Sequence, residues 1–559
     1  MADVVAKDEH QIPSSSEFAP ISPAWQDAAR QRREDINGAI PSEYIIPDFL
    51  LKGHHFLDLP VRCGILDQRE LEITSMTATS LLKGIHEEKY SAVEVTTAFC
   101  KRAAIAHQAT NCLALVLFEQ ALKDAEALDE YMRVNHRPIG PLHGLPISVK
   151  EHVDLRNTPS TSGFIAWANV VSSTDSLIVK VLREAGAVFH VKTTNPQSLM
   201  ALETDSNLYG RTKNPHNTKL TPGGSSGGEG ALIAMRGSLL GIGTDIGGSI
   251  RAPAGFSGIY GLKPSISRLP HSGLAGVHGG MENIVGAVGP MAVSPEDLRL
   301  FCSVALDAQP WLYEPSLIEI PWRPTITIPT KMRIGVLSND GVVSPHPPVA
   351  RCLRETADAL GRAGHTIIPW RSSLHPDIIA TINEAYFLDG AEEYYEVMKQ
   401  GNEPPVPIIK MLLDKTHPKH CTARETWKIN QRRNALQTIY AAELNAAELD
   451  FILCPVNASV ASAHGESTYW GYTSAFNLLD YTGAVLPIST VQETDTWENF
   501  PGTYLSEQDR AFGAFYTGPE KYKNAPISLQ IVTRRFGEEK ALLIMEEIER
   551  VLGLRDSKL

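Results

Sequence analysis

Short apolar runs bounded by glycine and proline alternate with amphipathic stretches along this chain, the pattern of an α/β protein. The 3.6-residue spacing of apolar positions predicts helices over 25–37, 91–106, 119–132, 176–185, 229–235, 349–363 and 538–551. Ser91-Ala92-Val93-Glu94 reads as a capping box opening the second of these. Buried-strand runs fall at 187–192, 239–243, 332–337, 451–455, 485–488 and 527–532. Ile147 and Val149 alternate as in a half-buried strand, which turns Lys150 toward a site. Residues 207–217 are rich in turn formers, and the proline-rich stretch 310–329 reads as a linker dividing subregions of one sheet. The chain shows no internal repeat, heptad series or long low-complexity tract.

Composition narrows the function classes. With 559 residues, 43% of them hydrophobic, the chain can bury a large core, and length alone suggests two to four domains. A net charge of -13 with no basic stripe argues against a nucleic-acid partner and favours small neutral substrates. Seven cysteines without a CxxC pair point to a reducing compartment, and with no HExxH among eighteen histidines they argue against a metal site. No apolar run reaches transmembrane length, so no membrane partner is expected. The first residues lack signal-peptide and transit-peptide character, whereas Ser557-Lys558-Leu559 matches a peroxisomal import address, with the cytoplasm as the alternative.

The chemistry concentrates in residues 221–264, where two glycine clusters each hold serine. Gly223-Gly224-Ser225-Ser226-Gly227-Gly228 presents hydroxyls on a bare turn. In Thr244-Asp245-Ile246-Gly247-Gly248-Ser249, consecutive N–H groups can form an anion-binding nest ahead of a short helix near Arg251, as an oxyanion hole requires. Residues 223–227 also satisfy G-x-S-x-G, the nucleophile-elbow pattern of α/β-hydrolases. Against that reading, His278-Gly279-Gly280 follows the serine instead of preceding it, and Lys150 and Ser249 would be idle.

The whole stretch resembles the amidase signature of the amidase family, and the lead-in Pro141-Leu142-His143-Gly144-Leu145-Pro146 places the family's lysine at Lys150. Closer similarity is to fungal acetamidase-type amidases, through RPIGPLHGLPIS, AGAVFHVKT, GGSSGGEGALI, GTDIGGSIR, SPEDLRLF and NLLDYTG. The resemblance implies a central mixed β-sheet surrounded by α-helices, with residues 1–70 a helical extension, 71–553 one amidase domain and 554–559 a tail. The extension would pack on that domain or on a second subunit, as in a homodimer. It further implies a catalytic set of Lys150, Ser225 after a cis peptide bond, and the nucleophile Ser249. Ser225, Ile246, Gly247, Gly248 and Ser249 would hold substrate and oxyanion, with a backbone contact at Leu199.

A serine hydroxyl needs a base, and a lysine kept neutral by desolvation can supply one without histidine, metal or cofactor. The implied activity is hydrolysis of small carboxamides to acid and ammonia. The alternative within the resemblance is the glutamine-hydrolysing A subunit of an amidotransferase, and outside it a serine esterase or hydrolase using the G-x-S-x-G run. Tyr469, Trp470, Tyr472 and Phe476 form an aromatic cluster that would either line an acyl pocket or belong to the core.

Overall fold

The computed structural model describes residues 24–416, 418–499 and 504–554. In chain order its strands are β1 (Leu113–Val116), β2 (Pro146–Lys150), β3 (Val188–Thr193), the two-residue pair β4 (Asp205–Ser206) and β5 (Gly210–Arg211), β6 (Leu240–Asp245), β7 (Tyr260–Lys263), β8 (Ala287–Ala292), β9 (Arg333–Leu337), β10 (Thr366–Trp370), β11 (Phe451–Pro455), β12 (Thr482–Thr490) and β13 (Pro526–Thr533). All except β4 and β5 join one eleven-stranded sheet in the order β1-β3-β2-β6-β8-β7-β12-β13-β11-β9-β10. It is mixed: β2 runs parallel to β3 and β6, and β9 to β10 and β11, while the strands between are antiparallel.

Strands β2, β3 and β6 are buried along their whole length, polar Lys150, His190, Lys192 and Asp245 included, so β2 is not the half-buried strand that the alternation of Ile147 and Val149 suggests: neighbouring elements cover both of its faces. Helix Gly227–Ala234 lies directly on this part of the sheet. Close approach is possible because Gly228 meets the backbone of Thr194, and Gly241 leaves room for the Glu229 carboxylate and the Ser148 hydroxyl. The glycines of the serine-rich stretch thus serve packing as well as the turn.

Most expected elements are present with shifted ends. Strand β6 runs two residues beyond the expected 239–243, placing Thr244 and Asp245 on the sheet. Only half of the expected capping box forms at Ser91: its hydroxyl accepts the Glu94 N–H, while the Glu94 carboxylate pairs with Arg69. Strand β8 escapes sequence reading because Gly289 and Pro290 are poor strand formers. β7 pairs with β8 only at Met291 and Ala292, so Pro290 has a single neighbouring strand, where a missing N–H is tolerated. The stretch 310–329 does connect two regions of the same sheet, joining the helix that follows β8 (Pro295–Asp307) to β9 near the far edge.

The helix expected over 25–37 is Ala24–Gly38. It packs on its own chain, burying Ala29 and Ile36 against a cluster that includes Ile105, Leu113 and Leu208, with Arg33 Nη2 donating to the Asn207 carbonyl at 2.6 Å. Among the described residues no helix is long and apolar enough to cross a membrane. Ser557-Lys558-Leu559 lies outside the described residues.

Candidate active site

Lys150 ends β2 with its side chain fully buried. Its Nζ lies 2.7 Å from Ser225 Oγ and 2.8 Å from Thr244 Oγ1, so two hydroxyls contact the lysine and, among the described residues, no carboxylate does. Desolvation pushes Lys150 down to about 7 against the opposing pull of Asp245, Glu229 and Glu151. Those carboxylates hold other partners. Glu229 accepts from Ser148 and Thr193, and burial raises it to about 7. Glu151 accepts the N–H groups of Thr161 and Ser162 and the Tyr209 hydroxyl.

Ser225 follows a cis Gly224–Ser225 peptide bond, just ahead of helix Gly227–Ala234. The strand-turn-helix setting of a nucleophile elbow is absent, because residues 221–224 are not a strand, and the group on Ser225 is a lysine, not a histidine. The two serine turns are tied by the Ser226 N–H, which donates to the Ser249 carbonyl at 3.1 Å. Among the described residues no hydrogen bond joins the Ser225 and Ser249 hydroxyls directly; the side chain on Ser225 Oγ is Lys150.

The turn at 246–249 is oriented through its carbonyls. Tyr386 donates to the Ile246 carbonyl at 2.9 Å, Thr473 to that of Gly247 at 2.7 Å, and the Ala252 N–H to that of Gly248. In a trans peptide the N–H points opposite the C=O, so each anchored carbonyl aims the next N–H the other way. The N–H of Gly248 is used internally, donating to Asp245 Oδ1 at 2.8 Å. Those of Ile246, Gly247 and Ser249 have no protein acceptor among the described residues. Gly248 has φ +134°, and a side chain there would strike Thr473.

Asp245 and Arg251 form a fully buried ion pair beneath this turn. Both carboxylate oxygens are engaged, one by Gly248 N–H, Asn477 and Arg251, the other by the N–H groups of Ile250 and Arg251 and by Arg251 Nε. The guanidinium places all five donors, since Nη1 also reaches the Thr473 carbonyl and Gln530 and Nη2 reaches Asn477. Burial alone would raise Asp245, but Arg251 overrides it and holds the carboxyl below its ordinary range. Tyr386, Thr473 and Gln530 have no signal in the sequence, because each is an ordinary polar residue brought in by a distant element; Asn477 opens the NLLDYTG stretch, but nothing local ties it to this turn.

A small cavity of about 20 Å³ lies at Ser249, lined also by residues 199–202, Ile246, Gly247, Tyr386 and Trp470. Leu199, with φ +64°, is part of this wall. Of the aromatic cluster only Trp470 lines the cavity. Tyr472 and Phe476 are core residues, and Tyr469 donates to Asp340 at 2.5 Å. Trp470 also lines a second, wider pocket of about 790 Å³.

Comparison with known proteins follows the same lines. The sequence profile of the family described as Amidase matches residues 94–542. The chain is 40% identical to an acetamidase of Aspergillus oryzae over 95% of this chain and 99% of the relative. It is also 40% identical to an acetamidase of Emericella nidulans over 95% of this chain and 98% of that protein. Among solved structures, fatty acid amide hydrolase superposes with a TM-score of 0.90 at 31% identity, covering 97% of this chain and 99% of the other.

Two measurements check this site. Arg251→Met leaves Asp245 as an uncompensated buried charge and should destabilise the fold by about 3–5 kcal/mol in urea unfolding; a loss below about 1 kcal/mol would contradict the role given to the pair. A lysine base works only when neutral, and Lys150 is protonated below its pKa. Turnover should therefore fall as pH drops, with a midpoint near the value of about 7 held by Lys150. A rate flat from pH 5 to 9 would exclude a lysine base.

Proposed function

This chain belongs to the amidase signature family and is an acetamidase-like hydrolase, and from that premise we propose that it converts small carboxamides to carboxylic acid and ammonia through Lys150, Ser225 and Ser249. The observation that carries the reading is the buried, unpaired Lys150 within hydrogen-bonding distance of Ser225, beside the cavity that Ser249 lines.

Ser249 Oγ attacks the amide carbon while its proton passes through the Ser225 hydroxyl to Lys150. The carbonyl oxygen becomes an oxyanion against the free N–H groups of Ile246, Gly247 and Ser249. Lys150 then returns the proton through Ser225 to the leaving nitrogen, since an amine leaves badly as an anion, and ammonia departs. Water attacks the acyl-enzyme by the same route in reverse roles, releasing the acid and restoring Ser249.

Cavity size supports a short acyl group. About 20 Å³ of free volume over Ser249 leaves little room at the turn, which favours acyl groups of few carbons over long chains. Likeness to acetamidases over the whole chain favours this reading over a glutamine-hydrolysing amidotransferase subunit.

Ammonia release from acetamide, butyramide, hexanamide and glutamine tests the proposal. Acetamide should be turned over and Ser249→Ala should abolish it, since the nucleophile is lost with little change in volume. Release from glutamine alone would overturn the substrate class, and full activity in Ser249→Ala would overturn the mechanism. Trp470 lines both this cavity and the wider pocket, so Trp470→Ala should enlarge the space over Ser249 and raise kcat/KM for butyramide relative to acetamide about tenfold. An unchanged ratio would show that Trp470 does not set acyl length.

A further inference from the structure

Thr244 Oγ1 touches more than the lysine. It lies 2.8 Å from Lys150 Nζ and 2.8 Å from His152 Nε2, in a site where all three side chains are buried. On its other side, His152 Nδ1 is 2.9 Å from the Ala275 carbonyl. Backbone pairing holds the same place: the Ala275 N–H donates to the His152 carbonyl at 2.8 Å, and Val153 bridges Leu274.

These contacts have one consistent set of proton directions. A carbonyl only accepts, so Nδ1 carries the ring proton and Nε2 of the neutral imidazole is left as an acceptor. The Thr244 hydroxyl has one proton, and Nε2 takes it. The Thr244 oxygen can then only accept, and what it accepts is an N–H of Lys150. A neutral lysine has two N–H groups and one lone pair. With an N–H committed to Thr244, the lone pair remains for the proton of Ser225.

We propose that His152 is a positioning residue that sets the direction of the Thr244 hydroxyl and so keeps the lone pair of Lys150 turned to Ser225. Without an acceptor at Nε2, the Thr244 proton would be free to turn toward that lone pair and compete with Ser225. The charged groups around this chain are Asp245, Glu229 and Glu151 facing Lys150, and Lys192 together with Lys150 facing His152. Burial first, and then Lys150, hold His152 well below its ordinary range, so the ring stays neutral where Lys150 titrates. The inference rests on Lys150 acting as the base.

The test reads activation of Ser249 independently of the amide, through the rate at which a fluorophosphonate labels it. In that reaction the Oγ–P bond forms, the P–F bond breaks, fluoride leaves and the hydroxyl proton passes through Ser225 to Lys150. Asparagine can imitate Nδ1 and keep the Ala275 contact, whereas glutamine can imitate Nε2 and keep the acceptor for Thr244. His152→Gln should label within about threefold of the unsubstituted chain, and His152→Asn about tenfold more slowly. In acetamide hydrolysis the Asn variant should lose kcat with KM within about twofold. In a Thr244→Val background, which has no competing hydroxyl proton, adding His152→Asn should change the labelling rate by less than about twofold.

A His152→Asn cost that is the same with and without the Thr244 hydroxyl would mean a structural role only and overturn the inference, as would Gln and Asn variants that are equally slow. Should the Asn variant fail to fold, His152→Leu takes its place in the same cycle. An unsubstituted chain that is not labelled at Ser249 would overturn the nucleophile assignment, and this inference with it.

Discussion

A lysine buried without a countercharge is the constraint on which the site depends. Three carboxylates lie near enough to pull Lys150 toward its charged form, yet each is engaged by other donors: Asp245 by Arg251 and backbone N–H groups, Glu229 by Ser148 and Thr193, and Glu151 by two N–H groups and Tyr209. Were any of them to contact Nζ directly, the pair would hold the proton and the amine would be no base at neutral pH. Desolvation therefore prevails, and the two groups within hydrogen-bonding distance of Nζ are hydroxyls.

The Asp245–Arg251 pair does the corresponding work for the turn. One carboxylate fixes three N–H donors around the bend, those of Gly248, Ile250 and Arg251, and the guanidinium ties the bend to the Thr473 carbonyl, Asn477 and Gln530. Burying such a pair has a large desolvation cost, which complete hydrogen bonding on both partners offsets. Tyr386 and Thr473 hold carbonyls of the same turn from outside, a fixed geometry of the kind that the proposed oxyanion site would need before substrate arrives.

The surroundings also divide size selection from chemistry. The nest and the lysine lie on sheet ends and glycine turns, whereas the cavity wall comes from residues 199–202 and from Trp470, just before helix Gly471–Leu478. In the proposed reaction, a change in that wall would alter which acyl group fits without moving Lys150, Ser225 or Ser249.

Much of this was legible in order along the chain. Glycine clusters around Ser225 and Ser249, the alternating strand before Lys150 and the fully apolar runs are local signals. They point to the α/β sheet and to the two glycine turns, because backbone freedom and periodic burial are written at the positions themselves, whereas the family and the residues to test came from the resemblance of the motifs. Other features were decided only by the tertiary structure. Glu94 left its cap because Arg69 came within reach, and β8 formed despite Gly289 and Pro290 because β6 and β7 were there to pair with it. Gly248 gave its N–H to Asp245, and one aromatic of four reached the cavity while the others joined the core or its hydrogen bonds. The partners of the signature turn, Tyr386, Thr473, Asn477 and Gln530, lie more than a hundred residues downstream of it. A sequence fixes which chemical groups are available and how each segment tends to fold, but which donor meets which acceptor depends on competition among groups that only the packed sheet brings together.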